Sequence, residues 1–141
     1  MKGLKKLNKI TSIKEEYPLK FKETAYSNTK GILKFPDHYV NVAVTVSDSG
    51  VTTVDGKKIV PAGTIVGGGF LDDPSTPAVK ATTDDNSGES NAEGVLFYDV
   101  DVTDGVAPGA VLIHGFVDAT KLPAVPTDAE KAALKQMTFL K

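Results

Sequence analysis

From Tyr39 the sequence alternates strictly, with Val40, Val42, Val44 and Val46 at every second position and Asn41, Ala43 and Thr45 between them. Successive side chains of a strand point to opposite faces, so this run predicts a half-buried β-strand. Turn chemistry then interrupts the chain at short intervals. Ser47-Asp48-Ser49-Gly50 is a turn, Val51 to Val54 a short strand, and Asp55-Gly56 the dipeptide that favours a tight type I′ hairpin, with Ile59-Val60 expected to pair back across it. Pro61-Ala62-Gly63 turns again, Thr64-Ile65-Val66 forms another strand, and Gly67-Gly68-Gly69 makes a bend. Apolar runs this short, punctuated this often, predict a mainly β domain. The 141 residues suffice for one such domain, and 40% hydrophobic with 24% charged residues is too apolar a composition for wholesale disorder.

Residues 72–92 are rich in Asp, Ser, Thr, Pro, Gly and Asn and read as a long surface loop or lid. Order returns at Val95 to Val102, where Phe97 either begins a core face opposite Asp99 and Asp101 or marks a change of phase at a bulge. Thr103-Asp104-Gly105 turns the chain, and Ala110 to Val117 is a further strand, ended by Lys121-Leu122-Pro123. Thr127 with Glu130 three residues later is a capping-box pattern, and the alanines that follow favour a helix over about 128–136. Met137 to Leu140 is an apolar closing strand.

The first part of the chain differs in kind. Residues 1–34 carry nine lysines against three glutamates, a balance of +6, while the other 107 residues carry seven lysines against fifteen acids, a balance of −8. Leu4, Leu7, Ile10 and Ile13 recur every third position among lysines, a short amphipathic pattern below the length at which an isolated helix is stable. Tyr17-Pro18-Leu19 breaks helical continuity. Tyr17, Leu19 and Phe21 then alternate with Lys20 and Lys22, as in a strand with one apolar and one basic face. We therefore expect an extended N-terminal arm over 1–39 and a β-rich domain over 40–141. Every basic residue is lysine, and the lack of arginine, the side chain suited to bidentate recognition of bases and phosphates, disfavours sequence-specific nucleic-acid binding. No stretch approaches the apolar length of a membrane span and the first residues lack the apolar core of a secretory signal, so neither membrane insertion nor export is expected.

Candidate chemistry is sparse. The chain contains no cysteine, which excludes disulfides, thiolate metal sites and thiol nucleophiles. Asp99-Val100-Asp101-Val102-Thr103-Asp104-Gly105 resembles the start of an EF-hand loop, but with Asp99 at position one the glycine position holds Asp104 and the bidentate glutamate position holds Ala110. The cluster reads as a strand end, and no metal or cofactor site is expected. His38 and His114 are the only histidines, no Gly-x-Ser-x-Gly elbow accompanies them, and His114, beside Ile113 in a strand, reads as structural. Asp99, Asp101 and His114 are the sole polar set that a small β enzyme could use, so no catalytic residues are assigned.

Several segments together resemble the lambda-type head decoration proteins of tailed bacteriophages. They are Asp55-Gly56 with Ile59 to Thr64, Glu93 to Gly105, Ala110 to Asp118, Lys121-Leu122-Pro123, the Thr127 helix and Thr138-Phe139-Leu140. The resemblance covers residues 40–141, while the Lys-rich first fourteen residues and the long 72–92 loop depart from the lambda pattern. It implies a small β-barrel or β-tulip-like domain with one short C-terminal helix and an extended arm. It also implies a non-enzymatic homotrimer that binds the major capsid protein on the outer surface of the virion and stabilises the expanded head, without nucleic acid or membrane. The arm is implied to add a strand to a capsid-protein edge, which makes Tyr17, Leu19, Lys20, Phe21 and Lys22 the candidate capsid-binding residues. A head fibre or carbohydrate-binding surface module is the alternative, which exposed aromatics would favour.

Overall fold

The structure, a computed structural model, describes residues 31–141. In chain order it contains β1 (Leu33–Val46), β2 (Ile59–Val60), β3 (Ile65–Gly67), β4 (Val79–Lys80), β5 (Ala92–Leu96), β6 (Val100–Asp101), β7 (Ala107–Asp118), a 3-10 turn (Ala119–Lys121), α1 (Asp128–Ala133) and β8 (Met137–Leu140). The architecture is mainly β with one short helix near the C-terminus, as expected. Among the described residues no helix is long and apolar enough to cross a membrane.

β7 is the spine of the main sheet, whose order is β1-β7-β5-β3-β4. Antiparallel β1 runs along one side of it, while β5 and the parallel strand β8 share the other side in succession. The sheet is open and does not close into a barrel. Among the described residues its two margins are bridged at Val46 and Ala78: Ala78 N–H donates to Thr45 O at 2.7 Å and Ser47 N–H to Ala78 O at 2.9 Å.

Alternation sends neighbouring residues of the same strand into two different cores. Val66, Leu96 and Val111 enter one, with Val44, Val46, Phe70 and Val102, and the small β2–β6 ladder closes it through Val60 and Val100. Ile65, Val95 and Leu112 enter the other, where Ile32, Val117, Leu134 and Met137 complete it. Both faces of the central strands are thus covered. Gly94 lets β5 lie close against β7, because a Cβ there would stand 2.7 Å from Leu112 O and closer still to the Val111 side chain.

Several elements differ from the sequence expectations. β1 starts at Leu33, ahead of the alternating run, and Ile32 is fully buried, so residues 32–39 lie in the folded domain rather than in an arm that ends at 39. Asp55 and Gly56 do form a two-residue turn at positive φ, but it closes only the Val54–Lys57 bridge. Val51 to Val54 is not a strand, and Ile59-Val60 pairs instead with Asp101 and Val100. The Val95 to Val102 run is split into β5 and β6 without a change of phase, since Leu96, Val100 and Val102 all enter the first core while Val95 and Phe97 face the second. The 72–92 segment is held to the sheet by β4 and Ala78 and is closed on itself by a Thr83–Ser90 bridge. Just before it, the Glu93 carboxylate accepts N–H bonds from Gly69, Phe70 and, at 3.0 Å, Leu71, which fixes the Gly68-Gly69 bend. α1 is shorter than expected at six residues, but its capping box is complete: Thr127 Oγ1 accepts from Glu130 N–H at 3.1 Å and Glu130 Oε1 from Thr127 N–H at 2.9 Å.

Candidate functional site

The candidate site is the β1 margin of the sheet, at the point where the Lys-rich segment enters the domain. The outer edge of β1 has no partner strand among the described residues from Leu33 to Val44. Two irregularities shape it. Leu33 pairs with Val117 and Phe35 with Phe116, but the next pair is Val40 with His114, so Pro36 to Tyr39 on β1 stand against Gly115 alone on β7. A bulge of this kind bends and twists a strand, and Pro36 removes one ladder donor.

Gly115 is what lets the bulge settle, since a Cβ there would lie 3.3 Å from the Tyr39 Cβ. Four ring pairs gather around the bulge. Tyr39 stacks on Phe97 at a centroid distance of 5.4 Å, and Phe97 meets Tyr98 edge-on at 4.8 Å. Between β1 and β7, Phe35 meets Phe116 edge-to-face at 5.8 Å and His38 meets His114 with planes near perpendicular at 4.8 Å. These rings remain open to solvent: Phe35 is 48% exposed, Tyr39 44%, Tyr98 49% and Phe116 38%. Exposed aromatics gathered in one region are a mark of interaction surfaces.

The chain is anchored where it enters this region. Asp118 N–H donates to Ile32 O at 2.8 Å, and Lys34 Nζ reaches Lys141 O at 3.2 Å. The buried Asp118 carboxylate accepts from Thr120 Oγ1 at 2.5 Å and from Thr120 N–H at 3.0 Å. The Thr120 hydroxyl above all, then its N–H and the nearby Lys34 and Lys121 charges, hold the Asp118 carboxyl below its usual range against the opposing effect of burial.

Tyr17, Leu19, Lys20, Phe21 and Lys22 lie outside the described residues, as does the Leu4 to Ile13 pattern. Asp99, Asp101 and His114 do not converge, and among the described residues no three His, Asp or Glu side chains gather as a metal site. Asp99 accepts from Ala62 N–H at 2.7 Å, and Asp101 is occupied by the Thr103 hydroxyl and N–H at 2.5 and 2.9 Å, which lower its pKa. A cleft of about 320 Å³ lies elsewhere, between the Ser47–Val51 turn, Pro61, Val79 and Pro123 to Val125. Its charged lining residues are Lys80 and Glu130, and Glu130 is committed to the helix cap. Sequence reading missed the Phe35–Phe116 and His38–His114 ring pairs at the β1 margin, because their members lie far apart in the chain and meet only through the β1–β7 register. Comparison with known protein families, curated proteins and solved structures finds no match to this chain.

Proposed function

We propose that this protein is a bacteriophage capsid decoration protein, which binds the major capsid protein on the outer surface of the expanded head as homotrimers and stabilises the shell. The observation that carries the reading is the β1 margin: an edge strand with no partner among the described residues, flanked by exposed rings, is joined in sequence to the Lys-rich segment that holds Tyr17, Leu19 and Phe21. An extended segment with one apolar and one basic face is suited to adding a strand to another protein's sheet, with lysines directed at an acidic shell. Trimerisation would make the second and third attachments intramolecular, so weak individual contacts suffice. Binding only to the assembled shell stabilises it by mass action.

The test is electron microscopy of expanded capsids with and without the protein, together with their heat resistance. Ordered trimers on the outer surface and a higher disruption temperature are expected. Bare capsids at saturating protein would overturn the reading. The exposed Tyr98 against Phe97 favours a second reading, a carbohydrate-binding surface module, since sugars stack on open aromatic faces. That reading expects glycan binding by the free protein, lost in Tyr98→Ala.

A further inference from the structure

The only two histidines of the chain stand 76 positions apart in sequence and in ring contact in the fold. We propose that His38 and His114 form a two-imidazole clip for a borderline divalent transition-metal ion such as Zn²⁺ or Ni²⁺, which ties the β1 bulge to β7. Neutral imidazole is the ligand such ions prefer when thiolate is not offered, and the chain has no cysteine.

The ring spacing suits the ion. With metal–nitrogen distances of about 2.0–2.1 Å, two imidazoles on one tetrahedral centre place their ring centroids about 5 Å apart. The His38 and His114 centroids are separated by 4.8 Å, with planes at 85°. The backbone supplies this spacing. His114 sits on β7 opposite Val40, and the Pro36 to Tyr39 bulge carries His38 over the same face. His38 is exposed and His114 half-buried, so an ion has a path in and water can complete its coordination. Electrostatics favour a cation as well, because residues 31–141 carry eight lysines against fifteen carboxylates.

A clip at this position closes a loop of backbone at the root of the N-terminal segment. Because it binds only when β1 and β7 are paired, it stabilises the fold by an amount that grows with the logarithm of ion concentration above its Kd. The sequence holds no other imidazole or thiol, so the test is clean. Zn²⁺ is titrated calorimetrically into the full chain at about pH 7.5, with Ca²⁺ as the control for carboxylate binding, and histidine ring nitrogens are followed by NMR. One ion per chain is expected, with ring-nitrogen shifts at both histidines and a raised Tm. His38→Gln and His114→Gln should each weaken binding about tenfold or more, because either removes the chelate, and so should a drop to about pH 5. No heat up to about 1 mM Zn²⁺ would overturn the proposal. So would affinity that either variant leaves unchanged, which would move the ion to carboxylates or the amino terminus. Should His114→Gln melt early without metal, the exposed His38→Gln and the ring spectra still decide.

Discussion

Three backbone N–H groups, of Gly69, Phe70 and Leu71, converge on the Glu93 carboxylate, an arrangement that cradles a negative charge with a side chain of the protein itself. Hydrogen bonds to an ionised group are worth more than neutral ones, and removing the acceptor leaves three donors to find water in a partly buried bend. Glu93→Ala should therefore cost about 2–3 kcal/mol in urea unfolding, and Glu93→Gln less, because one carbonyl oxygen remains. Acid behaviour follows from other carboxylates. Asp73 beside the Ser75 hydroxyl, Asp101 beside the Thr103 hydroxyl and Asp118 beside the Thr120 hydroxyl are all held below the ordinary value of 3.8. A carboxylate whose pKa is lower folded than unfolded adds stability that is complete above the unfolded value and disappears as pH falls through the folded one. Tm should therefore be insensitive to these three groups above about pH 5 and fall below about pH 4, and the gap between wild type and Asp118→Asn should narrow over that acid range. At this scale the sequence was legible in part. Asp-x-Thr and Asp-x-Ser are local patterns whose bonds span two residues, whereas Glu93 reaches a bend more than twenty positions away.

Elements whose signals are local are those that sequence reading locates. α1 is a case in point, because Thr127 and Glu130 satisfy each other's backbone N–H groups within one turn. At six residues the helix needs that cap, and Thr127→Ala should destabilise the protein by about 1 kcal/mol, measured by chemical denaturation. Strand partners are a different matter. The Asp55-Gly56 turn is correctly signalled, yet it joins only Val54 to Lys57, and β2 finds its partner in β6 across the intervening β3 to β5. Val60 and Val100 gain more by capping a core than Val51 to Val54 could supply in an exposed hairpin. The start of β1 was hidden for a related reason. Lys34, Pro36, Asp37 and His38 interrupt the alternation, and a bulge, unlike a regular strand, has no period to read.

For the molecule as a whole, the buried Ile32 and the pairing of Leu33 with Val117 set where the chain can be cut. Removal of residues 1–30 should leave the urea midpoint nearly unchanged and, on the proposed function, abolish capsid binding. Removal of residues 1–39 should cost about 3 kcal/mol or more, since it deletes a fully buried isoleucine and half of an edge strand. Equal midpoints for the two truncations would show that Ile32 contributes nothing to the second core. The expectation of a small mainly β domain with a terminal helix rested on turn spacing and the capping box, both readable in one dimension. Sheet order and the open margin were not, because they depend on which distant strand shields which core. That margin has a kinetic corollary. The sheet's two edges are joined at Val46 and Ala78 and parted toward Leu33, so the domain should breathe from one end. Hydrogen exchange would register this as a gradient along a single strand, with the amides of Lys34, Phe35, Asp37 and His38 exchanging through small local openings and those near Val46 only when the domain unfolds altogether.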